Sequence, residues 1–456
     1  MSKDKNDIKI FAGIMDPGAA SQAYAIAGHP CIEGPVRIMP DAHAGAGCVI
    51  GFTGRFASGI VPNVVGVDIG CGVAAIHYKT SLEEFWGDVE DAYGTKDRKE
   101  LFDLIDREIR NAVPTGARCR SALPPFLASS GSASALLAEA ASILREISPS
   151  KHIAPEVQLG TLGGGNHFIE IDRFASDEKG FCLVVHSGSR NFGHKIGTWF
   201  QDRAKELAEI VKSPQKASTA REREIAAFFN FVSPDVPRGL EYLPFVGKDS
   251  EMYRKYPEFT GERYMECARV AQKYAALNRQ CILEYVSRVI ERTPHYIEKE
   301  FIESVHNYIG ADGITRKGAI SAPAGEKVLI PLSMKDGIIL GTGKGNEDWN
   351  FSAPHGAGRL AGRAEMKRRL ESGELSMDDF RESMADVFTS SVTENTIDES
   401  AFAYKPAKSI IEAVAPAVDV QEVMKPLFNL KDTDPEWDRR RGKTRKQETR
   451  EPEMNI

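Results

Sequence analysis

Long apolar runs are missing from this chain of 456 residues: none approaches the roughly 20 residues that a membrane-spanning helix needs. The opening MSKDKNDIKI is charged and lacks the apolar segment of a secretion signal. Both absences lead to the expectation of a cytoplasmic protein that does not engage a membrane. Cysteine is scarce as well. The seven cysteines are odd in number and scattered, which excludes the disulfide framework of a small secreted domain. Cys31, Cys119, Cys182, Cys267 and Cys281 read as reduced thiols, and Cys48 is ambiguous. Only Cys71, flanked by glycines and three residues past Asp68, reads as a metal thiolate. Nor is there an excess of positive charge. The net charge of −7 argues against a broad nucleic-acid-coating surface but leaves room for a local basic groove.

What the chain does have is glycine set beside reactive side chains. In LGTLGGGNHFIE, at 159–170, three glycines lead into Asn166 and His167, with Glu170 three residues on. Glycine lets a ligand approach the main chain closely, so this segment points to a metal or a phosphate held against the backbone. The same combination recurs in GVDIGCG (Asp68, Cys71), VVHSGSRNFGH (His186, His194), VHNYIG (His306) and PHGAGR (His355). A lone histidine is usually a hydrogen-bonded core or surface residue. Four of ten, His167, His186, His306 and His355, joined by an Asp-x-x-Cys pair, point to a metal enzyme.

The organisation follows from periodicity. Strand pieces are expected at 36–39 and 48–55, separated by the loop PDAHAGAG, and glycine alternates with small apolar residues over 64–78. Helical patterns cover 81–110 and 130–147, strand character returns over 158–193, and strong helical periodicity marks 195–211 and 261–292. Strands resume at 328–332 and 337–341. No repeat or interdomain linker interrupts this order. Site motifs spread from Asp41 to His355 require one core to fold before a site exists. The expectation is α+β: one large domain over 1–431 with a helical insertion at about 195–305, then a charged, mobile tail over 432–456.

The donor set Asp68, Cys71, His167, His186 and His306 exceeds what one tetrahedral catalytic metal uses. A two-metal site is therefore expected, with Cys71 as the candidate bridge. Ligand type alone allows zinc, manganese, iron or cobalt. The stretch from Arg316 to Asn346 carries glycines, lysines and Ser333 that could cradle phosphate, although it lacks the GxxxxGK[ST] spacing of a P-loop. Arg359, close after His355, suits phosphate through its forked guanidinium. His355 itself has three candidate roles: metal ligand, general base, or nucleophile toward phosphorus.

With MPDAHAG, GVDIGCG, LGGGNHF, HSGSRNFG, HNY, RKGA and HGAGR in this order, the chain resembles the RtcB family of RNA-splicing ligases over nearly its whole length. The resemblance implies a single RtcB-like domain with mixed β-sheets around a di-metal pocket, surrounded by helices. It implies two manganese ions, with Cys71 bridging, His167 and His186 completing one site, and Asp68 and His306 the other. It makes His355 the nucleophile that takes GMP from GTP, oriented by Asp41. Asn166, Glu170, Ser333, Arg359 and Tyr404 match positions around the guanylate, Lys431 a lysine that reads the guanine, and Arg190 an arginine near the phosphates. The implied substrates are GTP and RNA with 3′-phosphate or 2′,3′-cyclic phosphate and 5′-hydroxyl ends, handled by a monomer, with an activating helper protein as a further candidate partner.

Two features depart from the pattern. The segment PLSMK has Leu332 and Lys335 where the family more often has glycines. An extension carrying RRRGKTRK, at 439–446, follows Lys431 and is a candidate RNA contact. Two competing readings share these residues: a di-metal RNA end-processing phosphoesterase, and a GTP-binding regulatory module without ligase turnover.

Overall fold

The computed structural model describes residues 7–150, 152–291 and 298–434. The expected tail contact at 439–446 lies outside the described residues, as does nearly all of the tail itself. Among the described residues, no helix is long and apolar enough to cross a membrane.

The fold is α+β, with two main sheets. The larger has seven strands in the spatial order Lys327–Ser333, Gly337–Gly343, Val418–Leu430, Phe168–Arg173, Phe181–Ser187, Gly72–Tyr78 and Lys299–Val305. Every neighbouring pair is antiparallel. The sheet curls until its two outer strands meet, and the Leu329 backbone N–H donates to Ser304 Oγ at 2.9 Å. The second sheet has five strands: Ile8–Ile10, Ile32–His43, Ile50–Phe56, Ile314–Lys317 and Asn307–Ile309. Its first pair is parallel and the rest antiparallel.

Local sequence explains most of the helices. The helical pattern over 81–110 is two helices, Leu82–Tyr93 and Arg98–Ala112. The break falls where Asp97 accepts from the N–H groups of Lys99 and Glu100 and so starts a new helix. In the second helix, Leu101, Ile105 and Ile109 recur every four residues and bury against Ile169, Ile171, Leu183 and Val185 of the large sheet. Ser130 caps Gly131–Ile147, and Thr260 caps the thirty-residue helix Gly261–Ile290. That long helix is buried along much of its length, through Tyr264, Cys267, Ala271, Tyr274 and Ile282. The stretch expected as a helical insertion at 195–305 thus holds a helix packed into the main core, and it ends in the sheet strand Lys299–Val305.

One expectation is corrected. PDAHAGAG is not a loop throughout: the strand Ile32–His43 runs on through Pro40, Asp41, Ala42 and His43. Its pairing with Ile50–Phe56 shifts register between Ile38 and His43, so the strand is irregular where Asp41 and His43 lie.

Candidate metal centre and active site

Adjacent strands of the large sheet bring the donor residues together. Cys71 immediately precedes Gly72–Tyr78, His167 precedes Phe168–Arg173, His186 lies within Phe181–Ser187, and His306 follows Lys299–Val305. Cys71 Sγ lies 3.4 Å from His167 Nε2 and 3.3 Å from His186 Nε2. His186 Nε2 is 3.4 Å from His306 Nε2, and Asp68 Oδ2 is 3.0 Å from His167 Nε2. His167 donates Nδ1–H to the Leu162 carbonyl at 2.8 Å, and His186 donates Nδ1–H to the Asn166 carbonyl at 3.1 Å. Both Nε2 atoms are thereby turned toward Cys71, the arrangement in which an outer partner fixes the orientation of a metal ligand.

The electrostatics suit a cation. Burial, followed by neighbouring positive charge, lowers the pKa of His186 and of His306 well below the ordinary imidazole value, so both are neutral donors. Burial and the Asp68 carboxylate push the Cys71 thiol well up. A thiolate there needs a positive partner, which a metal supplies. Burial opposes the Asp68 charge, but the His167 bond and the charges of His167 and Arg190 hold its carboxyl below the usual range. His306 Nδ1 is buried with no hydrogen-bond partner among the described residues. Donor type, neutral imidazoles and a thiol in need of compensation together fit a metal cluster.

Asn278 and Arg279, on the long helix, brace this centre from behind. Asn278 Oδ1 accepts from Gly160 N at 2.9 Å, and its Nδ2 donates to Ser187 Oγ at 3.0 Å and Gly188 O at 3.2 Å. Arg279 donates to Gly70 O at 2.6 Å, Ser187 O at 2.9 Å and Glu303 at 2.8 Å. One turn of helix therefore ties down the loops carrying Cys71, His167 and His186. Neither residue lies in a glycine-rich motif, so the sequence reading did not find them.

His355 follows the short strand Ser352–Pro354 and meets Asp41 of the second sheet. Its Nδ1–H donates to Asp41 Oδ2 at 2.6 Å, and its backbone N–H donates to the same oxygen at 3.1 Å. That leaves Nε2 as the free lone pair. The His355 ring centroid is 4.8 Å from that of His306. The Asp41 backbone is itself clamped: Lys405 Nζ donates to Pro40 O at 2.9 Å and Ala42 O at 3.1 Å. At Gly358, with φ +75°, a Cβ would stand 2.2 Å from Asp41 O. Glycine is required there by contact as well as by conformation.

A cavity of about 690 Å³ opens beside His355. Asn166, Glu170, Ser333, Arg359, Tyr404 and Lys431 all line it. Their charges are paired through a carboxylate that the sequence reading missed, Glu399. Lys431 Nζ donates to Glu399 at 3.1 Å, Tyr404 OH donates to it at 2.9 Å, and Arg359 donates to it as well. Burial opposes its charge, but Lys431 and Arg359 hold Glu399 at about 2. Ser333 Oγ donates to Asp336 at 2.7 Å within the hairpin that PLSMK forms. Arg190 is placed differently. It does not line the cavity; it sits behind His167, with Nη1 3.5 Å from His167 Nδ1 and Nε donating to Thr161 Oγ1 at 3.3 Å. Gly163 of the triple glycine has φ +85°, and its missing Cβ would lie 2.1 Å from Arg190 Nη1. This glycine makes room for a guanidinium, not for a ligand.

Burial pushes Glu170 up to about 7, against the Asn429 hydrogen bond and the Lys431 charge. Its folded value exceeds its unfolded one, so the folded state binds this proton more tightly. Glu170 therefore stabilises the fold fully at low pH, and that contribution is lost as pH rises through the folded value. Between about pH 5 and 7 the thermal midpoint of Glu170→Gln should fall less steeply than that of wild type. Asp172, also raised by burial and by Glu170, keeps part of the slope. Superimposable pH–midpoint curves would remove this assignment.

Fold and centre together define an α+β enzyme in which thiol, imidazole and carboxylate donors cluster beside a carboxylate-paired histidine. The family model described as tRNA-splicing ligase RtcB matches residues 22–432, and the chain belongs to the RtcB family. It is similar to the RNA-splicing ligase RtcB of Escherichia coli (strain K12), 29% identical over 436 residues that cover 91% of this chain and 95% of that relative. The tRNA-splicing ligase RtcB of Archaeoglobus fulgidus is 26% identical over 419 residues, covering 78% of this chain and 79% of the relative.

Proposed function

We propose that this protein is a GTP- and manganese-dependent RNA ligase that joins RNA 3′-phosphate or 2′,3′-cyclic phosphate ends to 5′-hydroxyl ends, in tRNA splicing or RNA repair. Family membership supports the coarse part, an RNA ligase enzyme. The finer part rests on one observation above all: the Asp41–His355 pair stands beside the Cys/His cluster, with His355 lining the cavity.

In this reading His355 Nε2 attacks the α-phosphorus of GTP, the bond to the β-phosphate oxygen breaks, and pyrophosphate leaves. Asp41 holds the ring through Nδ1–H and stabilises the charge that develops on it. An oxygen of the RNA 3′-phosphate then displaces His355 from the guanylyl phosphorus. Finally the 5′-hydroxyl attacks the RNA 3′-phosphorus and GMP departs. Asp68, Cys71, His167, His186 and His306 would hold two manganese ions, with Cys71 shared; such cations neutralise charge on phosphate oxygens. Asn166, Glu170, Ser333, Arg359, Tyr404 and Lys431 form the guanylate walls. Arg190 acts from behind His167, as a fixed positive charge. The catalytic domain ends at Lys431, and the enzyme works as a cytoplasmic monomer that loads GTP by itself, an activating helper protein being a candidate partner that would only speed this step.

Incubation with α-labelled GTP and manganese tests the proposal. Wild type should carry an acid-labile, alkali-stable label, pass it to RNA bearing a 3′-phosphate, and seal when a 5′-hydroxyl RNA is added. Unlabelled protein with a full metal complement would overturn it in favour of a hydrolase or a nucleotide-binding module.

A further inference from the structure

His43 lies two residues past Asp41 at the end of the strand Ile32–His43 and lines the same cavity as His355, yet the reaction above gives it no task. Its Nδ1 lies 3.0 Å from the Asp41 carbonyl oxygen. A carbonyl only accepts, so Nδ1 carries the proton and Nε2 carries the lone pair. None of the described residues hydrogen-bonds that Nε2, and it is not among the buried polar atoms left without a partner; the cavity is where it finds space. Burial, with smaller contributions from His355 and Arg359, lowers its pKa to about 4 against the pull of Asp41. The ring is therefore neutral, and an RNA phosphate brought beside it would raise its basicity toward working pH.

The three nucleotidyl steps differ in one respect. His355 Nε2 attacks GTP as a bare lone pair, and the RNA 3′-phosphate attacks as an anionic oxygen. Only sealing uses a nucleophile that must lose a proton, the 5′-hydroxyl. His43 also stands on the wall supplied by the five-stranded sheet, whereas Glu170, Ser333 and Lys431, on the guanylate side, come from or adjoin the seven-stranded one. We propose that His43 Nε2 is the general base of the sealing step, taking the proton of the attacking 5′-hydroxyl. As the 5′-oxygen bonds to the RNA 3′-phosphorus, the phosphoanhydride bond to GMP breaks. GMP leaves with that electron pair, and the proton rests on His43 until solvent removes it. This inference rests on the ligase reading.

The test separates the steps, using full-length enzyme with manganese. His43→Ala and His43→Asn are compared with wild type in forming the labelled adduct from GTP and in activating RNA with a linear 3′-phosphate. They are then compared in sealing isolated, pre-activated RNA to a 5′-hydroxyl RNA. Asparagine keeps a donor for the Asp41 carbonyl and lacks the base, so it controls for a displaced Asp41. Adduct and activated RNA should form near the wild-type rate with His43→Asn, while sealing of pre-activated RNA slows on the order of 10²-fold. Equal slowing of adduct formation and sealing in both variants would overturn the inference, making His43 a support for Asp41. Slowing confined to 2′,3′-cyclic phosphate substrates would also overturn it, because water would then be the nucleophile served. Sealing at the wild-type rate would do the same. Wild type that forms neither adduct nor sealed RNA would instead defeat the ligase reading itself.

Discussion

Cys71→Ala protein is expected to lose metal and, with it, all guanylylation and sealing. Cys71 Sγ lies within 3.4 Å of the Nε2 atoms of both His167 and His186. Loss of an outer partner of a metal ligand alone typically lowers affinity 10–100-fold, so loss of the central thiolate should exceed about 100-fold. The fold should survive. Cys71 is a small buried side chain, and the loops around it are held by Asn278 and Arg279 independently of the sulfur. Metal content after dialysis, read by mass spectrometry beside the thermal midpoint of metal-free protein, separates the two effects. A variant that retains its metal at the wild-type level would remove Cys71 from the centre.

His355→Ala should give the opposite pattern: metal retained, adduct lost. The imidazole meets the cluster only edge-on, through the His306 ring at 4.8 Å between centroids, and its own hydrogen bonds go to Asp41. Removing it leaves the donors untouched but takes away the atom that would carry GMP. Sealing should fall to background, on the order of the 10⁶-fold loss seen when a covalent nucleophile is deleted. The same variant should still bind guanine nucleotide, because Glu170, Tyr404 and Lys431 line the cavity without contacting His355 through any described hydrogen bond. Ligation by this variant at a measurable fraction of wild type would end the covalent mechanism for this chain.

These two expectations also show how far the sequence could be read. The element positions came through wherever periodicity was strong, as in 261–292 against the helix Gly261–Ile290. They failed at PDAHAGAG, where proline and glycine suggest a loop but pairing with Ile50–Phe56 extends the strand to His43. The triple glycine was informative for an incomplete reason. It marked a place where backbone and side chain crowd together, but the group crowding Gly163 is the Arg190 guanidinium.

Donor chemistry was determined by sequence alone. Cysteine, histidine, aspartate and glycine at short spacing reflect local demands that leave local marks, and family membership follows from those same marks. Pairing was decided by the tertiary structure. Asp41 and His355 meet across 314 residues, Lys405 reaches back 365 residues to Pro40, and Glu399 gathers Arg359, Tyr404 and Lys431. A buried charge requires a partner but not one nearby in the chain. Glu399, Lys405, Asn278 and Arg279 therefore sit in unremarkable local sequence, and only the folded chain shows what each of them holds in place.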